Sequence, residues 1–150
     1  MKQRLNIHEK EQNAIKTLFG IGNYLKKSPV EVGLRELLCF RVSQINGCAY
    51  CLDMHYKDAR AKGETEQRLY GLSAWRETNF YSERERAALE WAEAVTKAEV
   101  PDNVYATARQ QFSDEEMIDL TLAVTTINVW NRINLAFPNE PGSYQVGQFG

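Results

Sequence analysis

The sequence predicts an all-α fold, and three observations carry that reading. Glycine and proline are scarce, at nine and four in 150 residues. Apolar residues recur every three or four positions through most of the chain. Two serine–glutamate pairs, Ser82 with Glu85 and Ser113 with Glu116, have capping-box spacing directly before apolar runs.

A first helix is expected from about Ile7 to Tyr24, with Asn6 and Glu9 as its capping pair. Ile15, Leu18, Phe19 and Ile21 form its apolar stripe. Ser28, Pro29 and Glu31 suit the N-cap, first and third positions of a second helix. It runs to about Gln44 and buries Leu34, Leu37, Leu38, Phe40 and Ile45 in some combination. Asn46-Gly47 then marks a turn between helices.

The third helix takes in Cys51, continues to about Lys62 and is ended by Gly63. A shorter helix follows near Glu66 to Trp75. The Ser82 box opens a helix carrying Ala88, Leu89, Trp91, Ala92 and Val95, and Pro101 suits the first turn of another. The last helix, opened by Ser113, holds Ile118, Leu120, Ala123, Val124, Ile127, Val129 and Ile133. Apolar over most of its circumference, it is expected to be central or to lie in an oligomer contact. The closing PNEPGSYQVGQFG has no helical period and reads as a tail packed on the body or on a neighbouring subunit.

One domain, residues 1–150, suits this length and composition, 43% hydrophobic and 25% charged. A formal charge of -2 argues against nucleic acid and anionic membrane surfaces as partners. No apolar run approaches the roughly 18 residues of a membrane span. The N-terminal residues lack the apolar stretch of a secretory signal, so the expected location is cytoplasmic, where free thiols are the normal state. The cysteines number three, Cys39, Cys48 and Cys51, and an odd count argues against a disulfide scaffold. Cys39, in the run LLCF, reads as a buried small hydrophobe.

The stretch GCAYCLDMH, Gly47 to His55, is the richest in chemistry. A cysteine at the start of a helix meets unpaired backbone N–H groups and the positive end of the helix dipole, which favour a thiolate. Cys51 and His55, four apart, share a helix face, so the imidazole is placed to take the thiol proton. The two sulfurs are close enough in sequence to close on each other as a redox disulfide. Glu36, on the preceding helix, comes back beside the later turns of the cysteine helix if the two are antiparallel. It could then orient His55 or relay its proton.

Two other readings stand beside thiol redox chemistry. Zinc could take Cys48, Cys51 and His55 with one further ligand, but no second ligand pair is present, and Asp53 and Asp58 are expected to point elsewhere on the helix. The pair could also be purely structural thiols. Covalent haem attachment is excluded because Leu52, not histidine, follows the second cysteine. Trp130, Asn131 and Arg132, flanked by Asn128 and Asn134, satisfy backbone groups at a subunit contact, line a pocket near the thiols, or make structural polar contacts at a helix end. His8 is expected in solvent or as a minor cap, and SERERAALEWAE as a solvated helix face.

With Glu36, Cys48, Cys51 and His55 in place, the sequence resembles the alkylhydroperoxidase AhpD-like proteins of the carboxymuconolactone decarboxylase superfamily. The segments that carry the resemblance are LRELLCFRVSQINGCAYCLDMHYKDARAKGET, LSAWRE, RERAALEWAEAVT and DLTLAVTTINVWNRI. It implies a single-domain AhpD-like helical fold with the CxxC at the start of a helix, and a homo-oligomer of trimer or hexamer type. It also implies reduction of a small hydroperoxide without a cofactor or metal. Cys51 would be the peroxidatic thiol, Cys48 the resolving one, and Glu36 with His55 the proton relay. An external dithiol, such as a lipoyl-bearing or thioredoxin-like protein, would reduce the resulting disulfide. The family pattern has a second histidine directly before the later cysteine, where this chain has Tyr50. A phenol is a poor proton shuttle at neutral pH but can donate a hydrogen bond, so the relay would be shorter here. The decarboxylase members lack the cysteine pair, and their lactone chemistry does not carry over. The alternative function is a redox-sensing or structural homo-oligomer without turnover, with a zinc-binding protein as a minor option.

Overall fold

The computed structural model describes residues 4–10 and 12–149, the side chains of residues 8, 10 and 12 excepted. Its helices are α1 (Ile7–Lys10), α2 (Gln12–Leu25), α3 (Val32–Asn46), α4 (Ala49–Ala61) and α5 (Glu66–Gly71), followed by a 3-10 segment (Leu72–Glu77). Then come α6 (Glu83–Lys97), α7 (Asp102–Gln111) and α8 (Asp114–Ala136), with no strand among the described residues. The fold is all-α, as the sequence predicts. The expected first helix is described as α1 and α2; position 11 between them and the side chain of His8 lie outside the described residues.

Helix α3 is the hub, packing against α4, α6 and α8. Its Leu37, Leu38 and Val42 are at most 1% exposed and meet Leu89 of α6 and Leu120 and Val124 of α8 in one core. Both capping boxes form. The Ser82 and Ser113 hydroxyls accept from the N–H groups of Glu85 and Glu116, whose carboxylates accept from the serine N–H groups in return. No described helix is long and apolar enough to cross a membrane.

Helix α3 begins at Val32 rather than at Pro29. Ser28 Oγ accepts from the Val30 N–H instead of capping, and Val30 is buried. Arg35 closes this loop by donating to the carbonyls of Leu25 and Val30, while Glu31 turns out to pair with Arg84. Tertiary contacts thus keep residues 29–31 out of the helix where local signals favour one. Pro101 likewise stands at the N-cap of α7, one position before the expected place. The helix expected over Glu66 to Trp75 breaks at Gly71 and tightens into the 3-10 segment, which buries Leu72 and Trp75.

Glu93, in the run expected to be solvated, is 5% exposed. It accepts hydrogen bonds from Trp75 Nε1 at 2.9 Å, Arg41 Nε at 2.8 Å and Arg76 at 2.7 Å, a donor set that offsets its desolvation. On α8 the outer face keeps Ile118 and Val129 exposed. The tail packs on the body of its own chain, with Tyr144 only 3% exposed.

Candidate active site

The turn between α3 and α4 sets the position of both sulfurs. Gly47 adopts the left-handed conformation, with φ of 69°. Its N–H donates to the Gln44 carbonyl, and the Cys48 N–H donates to the Ser43 carbonyl, which together make a Schellman ending for α3. Cys48 is also the N-cap of α4, its Sγ accepting from the Cys51 N–H at 3.3 Å. Cys48 and Cys51 are joined by a disulfide, with Cα atoms 5.3 Å apart. Both are buried.

A polar network anchors this corner to α8. Asn46 Nδ2 donates to Asn128 Oδ1 and to Asn131 Oδ1, each at 2.9 Å, and Asn131 Nδ2 donates to Ser43 Oγ at 3.0 Å. Asn131 is fully buried and lines neither cavity of the site. Of the roles expected for it, the structure shows structural hydrogen bonding, because the α3 corner holds its amide inward.

Beyond the turn, α4 returns beside α3, and His55 Nδ1 lies 2.9 Å from Glu36 Oε2. The other carboxylate oxygen of Glu36 accepts from Lys62 Nζ at 2.6 Å. Burial by itself would raise the Glu36 carboxyl, but the hydrogen bonds and charges of His55 and Lys62 outweigh it and hold the group at about 2. His55 Nε2 is buried and has no hydrogen-bond partner. On an α-helix, the side chain of Cys51 lies one turn away on the same face.

Asp58 does not point away from the site, contrary to the sequence expectation. One donor atom each from Glu36, His55 and Asp58 lies within 4.8 Å of the others. Three residues from His55 on α4, Asp58 shares its face, while Asp53 does point elsewhere, toward Lys57 and the tail. Asp58 accepts from the Tyr144 hydroxyl at 2.9 Å, and burial raises its carboxyl above the usual range. Glu36, His55 and Asp58 could offer a cation one imidazole and two carboxylates. Their carboxylate oxygens already accept from His55, Lys62 and Tyr144, and the joined sulfurs offer no thiolate to the Cys48–Cys51–His55 zinc set.

Two cavities flank the site. One of about 490 Å³ is walled by Glu36, His55, Asp58 and Lys62 on one side and by Phe19, Ile127 and Trp130 on the other. Cys39 lines it too, but burial pushes that thiol up and leaves it protonated at neutral pH. A second, of about 1000 Å³, opens at Cys48 and Tyr50 beneath tail residues 138–141. Tyr50 and Trp130, each expected at a pocket or as a hydrogen-bonding residue, line different cavities. Burial and then the charge of Asp53 raise the Tyr50 phenol.

Lys62, Asp58 and Tyr144 are site residues that sequence reasoning missed. Lys62 lies two helical turns after His55, a spacing that could have drawn notice. Tyr144 carried no such signal.

Residues 12–94 match the carboxymuconolactone decarboxylase family. The chain belongs to that family. Within it, this is an AhpD-like protein. It is 44% identical over 146 residues to the Bacillus subtilis (strain 168) protein YdfG, covering 95% of this chain and 99% of YdfG. A solved structure from Agrobacterium tumefaciens, of a protein of unknown function whose name links it to antioxidant defence and AhpD, superposes with a TM-score of 0.89. That pair shares 43% identity over 93% of this chain and 97% of the other. A peroxidase-related protein from Silicibacter sp. TM1040 matches with a TM-score of 0.77 and 26% identity, over 91% of this AhpD-like chain and 74% of its own.

Proposed function

We propose that this protein reduces hydroperoxides through a redox cycle of Cys48 and Cys51. Supporting the general redox reading are the names of its structural relatives, which speak of antioxidant defence and of peroxidases. The observation that carries the finer reading is His55, held by Glu36 through Nδ1 while its Nε2 is buried and unpartnered one turn from Cys51.

In the reduced protein His55 takes the Cys51 proton. The thiolate attacks one peroxide oxygen, the O–O bond breaks, and the departing alkoxide takes the proton back from the imidazole as an alcohol. Cys51 is now a sulfenic acid. Cys48 then attacks the Cys51 sulfur, the S–S bond forms, and the sulfenic oxygen leaves as water. An external dithiol returns two electrons and two protons, its own sulfurs becoming the disulfide; Cys48 borders the large cleft and is the sulfur such a donor would reach. Glu36 keeps the imidazole oriented throughout.

The test is a thiol count on the reduced protein before and after one equivalent of an alkyl hydroperoxide. Rapid loss of two thiols in the intact chain, and a sulfenic acid trapped on Cys51 in Cys48→Ala, are the expected results. Thiol loss no faster than that of a small-molecule thiol would overturn the reading in favour of a redox-sensing or structural pair.

A further inference from the structure

The segment after α8 runs along α4 and reaches both ends of the site. At the thiol end, Pro138, Asn139 and Glu140 wall the cleft at Cys48. Midway, Lys57 Nζ donates to the carbonyls of Gly142 at 3.2 Å and Tyr144 at 2.9 Å, and the Gly142 N–H donates to Asp53 Oδ2 at 3.1 Å. At the other end, the Tyr144 hydroxyl donates to Asp58 Oδ1 at 2.9 Å, with Oδ2 at 3.0 Å. The Tyr144 ring stacks on Phe149, centroids 5.8 Å apart.

We propose that Tyr144 is a positioning residue of the active site, holding Asp58 as a second carboxylate beside the Glu36–His55 pair. The proposal rests on the peroxidase reading for the use to which the site is put.

Two half-buried carboxylates this close repel each other and compete for the same donors. Glu36 takes His55 and Lys62. Among the described residues, Tyr144 is the side chain that donates to Asp58. Without it, Asp58 would turn toward the imidazole and ammonium that Glu36 uses. The phenol thus keeps His55 Nδ1 committed to Glu36 and Nε2 free.

Burial raises the Asp58 carboxyl most, and Glu36 of α3 adds to that; the Tyr144 hydrogen bond, His55 and Lys62 work against it. Lys26 of α2 and Arg35 of α3 line the same cavity. Tyr144 itself is pushed up by burial and by Asp58, so it remains a donor at neutral pH.

The experiment follows the ring protons of His55 by NMR through an acid titration of the reduced full chain, assigned against His8→Gln. Wild type should show a step from the neighbouring Asp58. In Tyr144→Phe, which keeps the aromatic stack, that step should move up by about one pH unit, because the hydrogen bond favoured the charged carboxylate. In Asp58→Asn it should vanish, and Tyr144→Phe should add nothing in that background. Peroxide-driven thiol loss in Tyr144→Phe should fall about 3- to 10-fold at neutral pH, because Asp58 then competes with Glu36 for His55 and loosens the base. A merely structural Tyr144 would lower the melting temperature and leave the step in place, and that result overturns the proposal. The titration needs no peroxide, so failure of the peroxidase reading in wild type is seen separately from failure of this one.

Discussion

His55 and Glu36 face each other across the α3–α4 hairpin, Nδ1 to Oε2 at 2.9 Å, while the second imidazole nitrogen is buried with no partner. A histidine anchored on one side and open on the other is the form a proton acceptor needs. The hydrogen bond and charge of His55, and then those of Lys62 on the far carboxylate oxygen, keep Glu36 ionised across neutral pH.

Glu36→Gln should cost activity far more than folding. The amide still fits but loses the charge that orients and stabilises the imidazole. Peroxide-driven thiol loss should slow by about 10²-fold or more, measured by stopped flow, with helical content by circular dichroism unchanged.

The same residue sets a pH dependence of stability. Its carboxyl is held at about 2, against about 4.3 in an unfolded chain. A folded value below the unfolded one contributes stability that is present above about pH 4.3 and is lost as the pH falls toward 2. Discounted for the half-exposed Lys62, the contribution is about 2 kcal/mol. Asp58 carries the opposite sign, since burial raises its carboxyl and protonation relieves that cost. Urea unfolding of wild type and Glu36→Gln should therefore differ most near neutral pH and converge between about pH 5 and pH 2.

Gly47→Ala isolates the turn. A Cβ there meets nothing within 4 Å, so the cost is the left-handed backbone alone. A loss of about 1 kcal/mol, or about 2–4 °C in melting temperature, is expected. A loss several times larger would mean that the corner bearing Cys48 has been displaced.

Glu93→Ala tests a buried network away from the thiols. It strands the Arg41 guanidinium and the Trp75 N–H beside a cavity, and should cost about 3–5 kcal/mol by urea denaturation. The variant protein that remains folded should keep the wild-type rate of thiol oxidation.

Cys39 should prove inert. Alkylation of the reduced native protein near neutral pH, followed by peptide mass spectrometry, should label Cys48 well ahead of Cys39. The difference is one of thiolate character and not of exposure: Cys48 sits at a helix N-terminus, while desolvation keeps the half-buried Cys39 protonated.

The sequence by itself determined whatever depends on near neighbours along the chain. The helical period, the serine–glutamate boxes, the glycine turn and the one-turn spacing of Cys51 and His55 are each set within a few residues, by backbone hydrogen bonding and local sterics. Glu36 was legible because only that short turn separates its helix from the next. Tertiary structure decided the rest. It delayed α3 to Val32 through Arg35 and Glu31, buried Glu93 under Arg41 and Trp75, and committed Asn131 to the α3 corner. It also brought Tyr144 onto Asp58 from 86 residues away. Such contacts follow from how amphipathic faces pack and which buried charges must find donors. Neither leaves a fixed spacing in the chain, so neither can be read until the helices are in place.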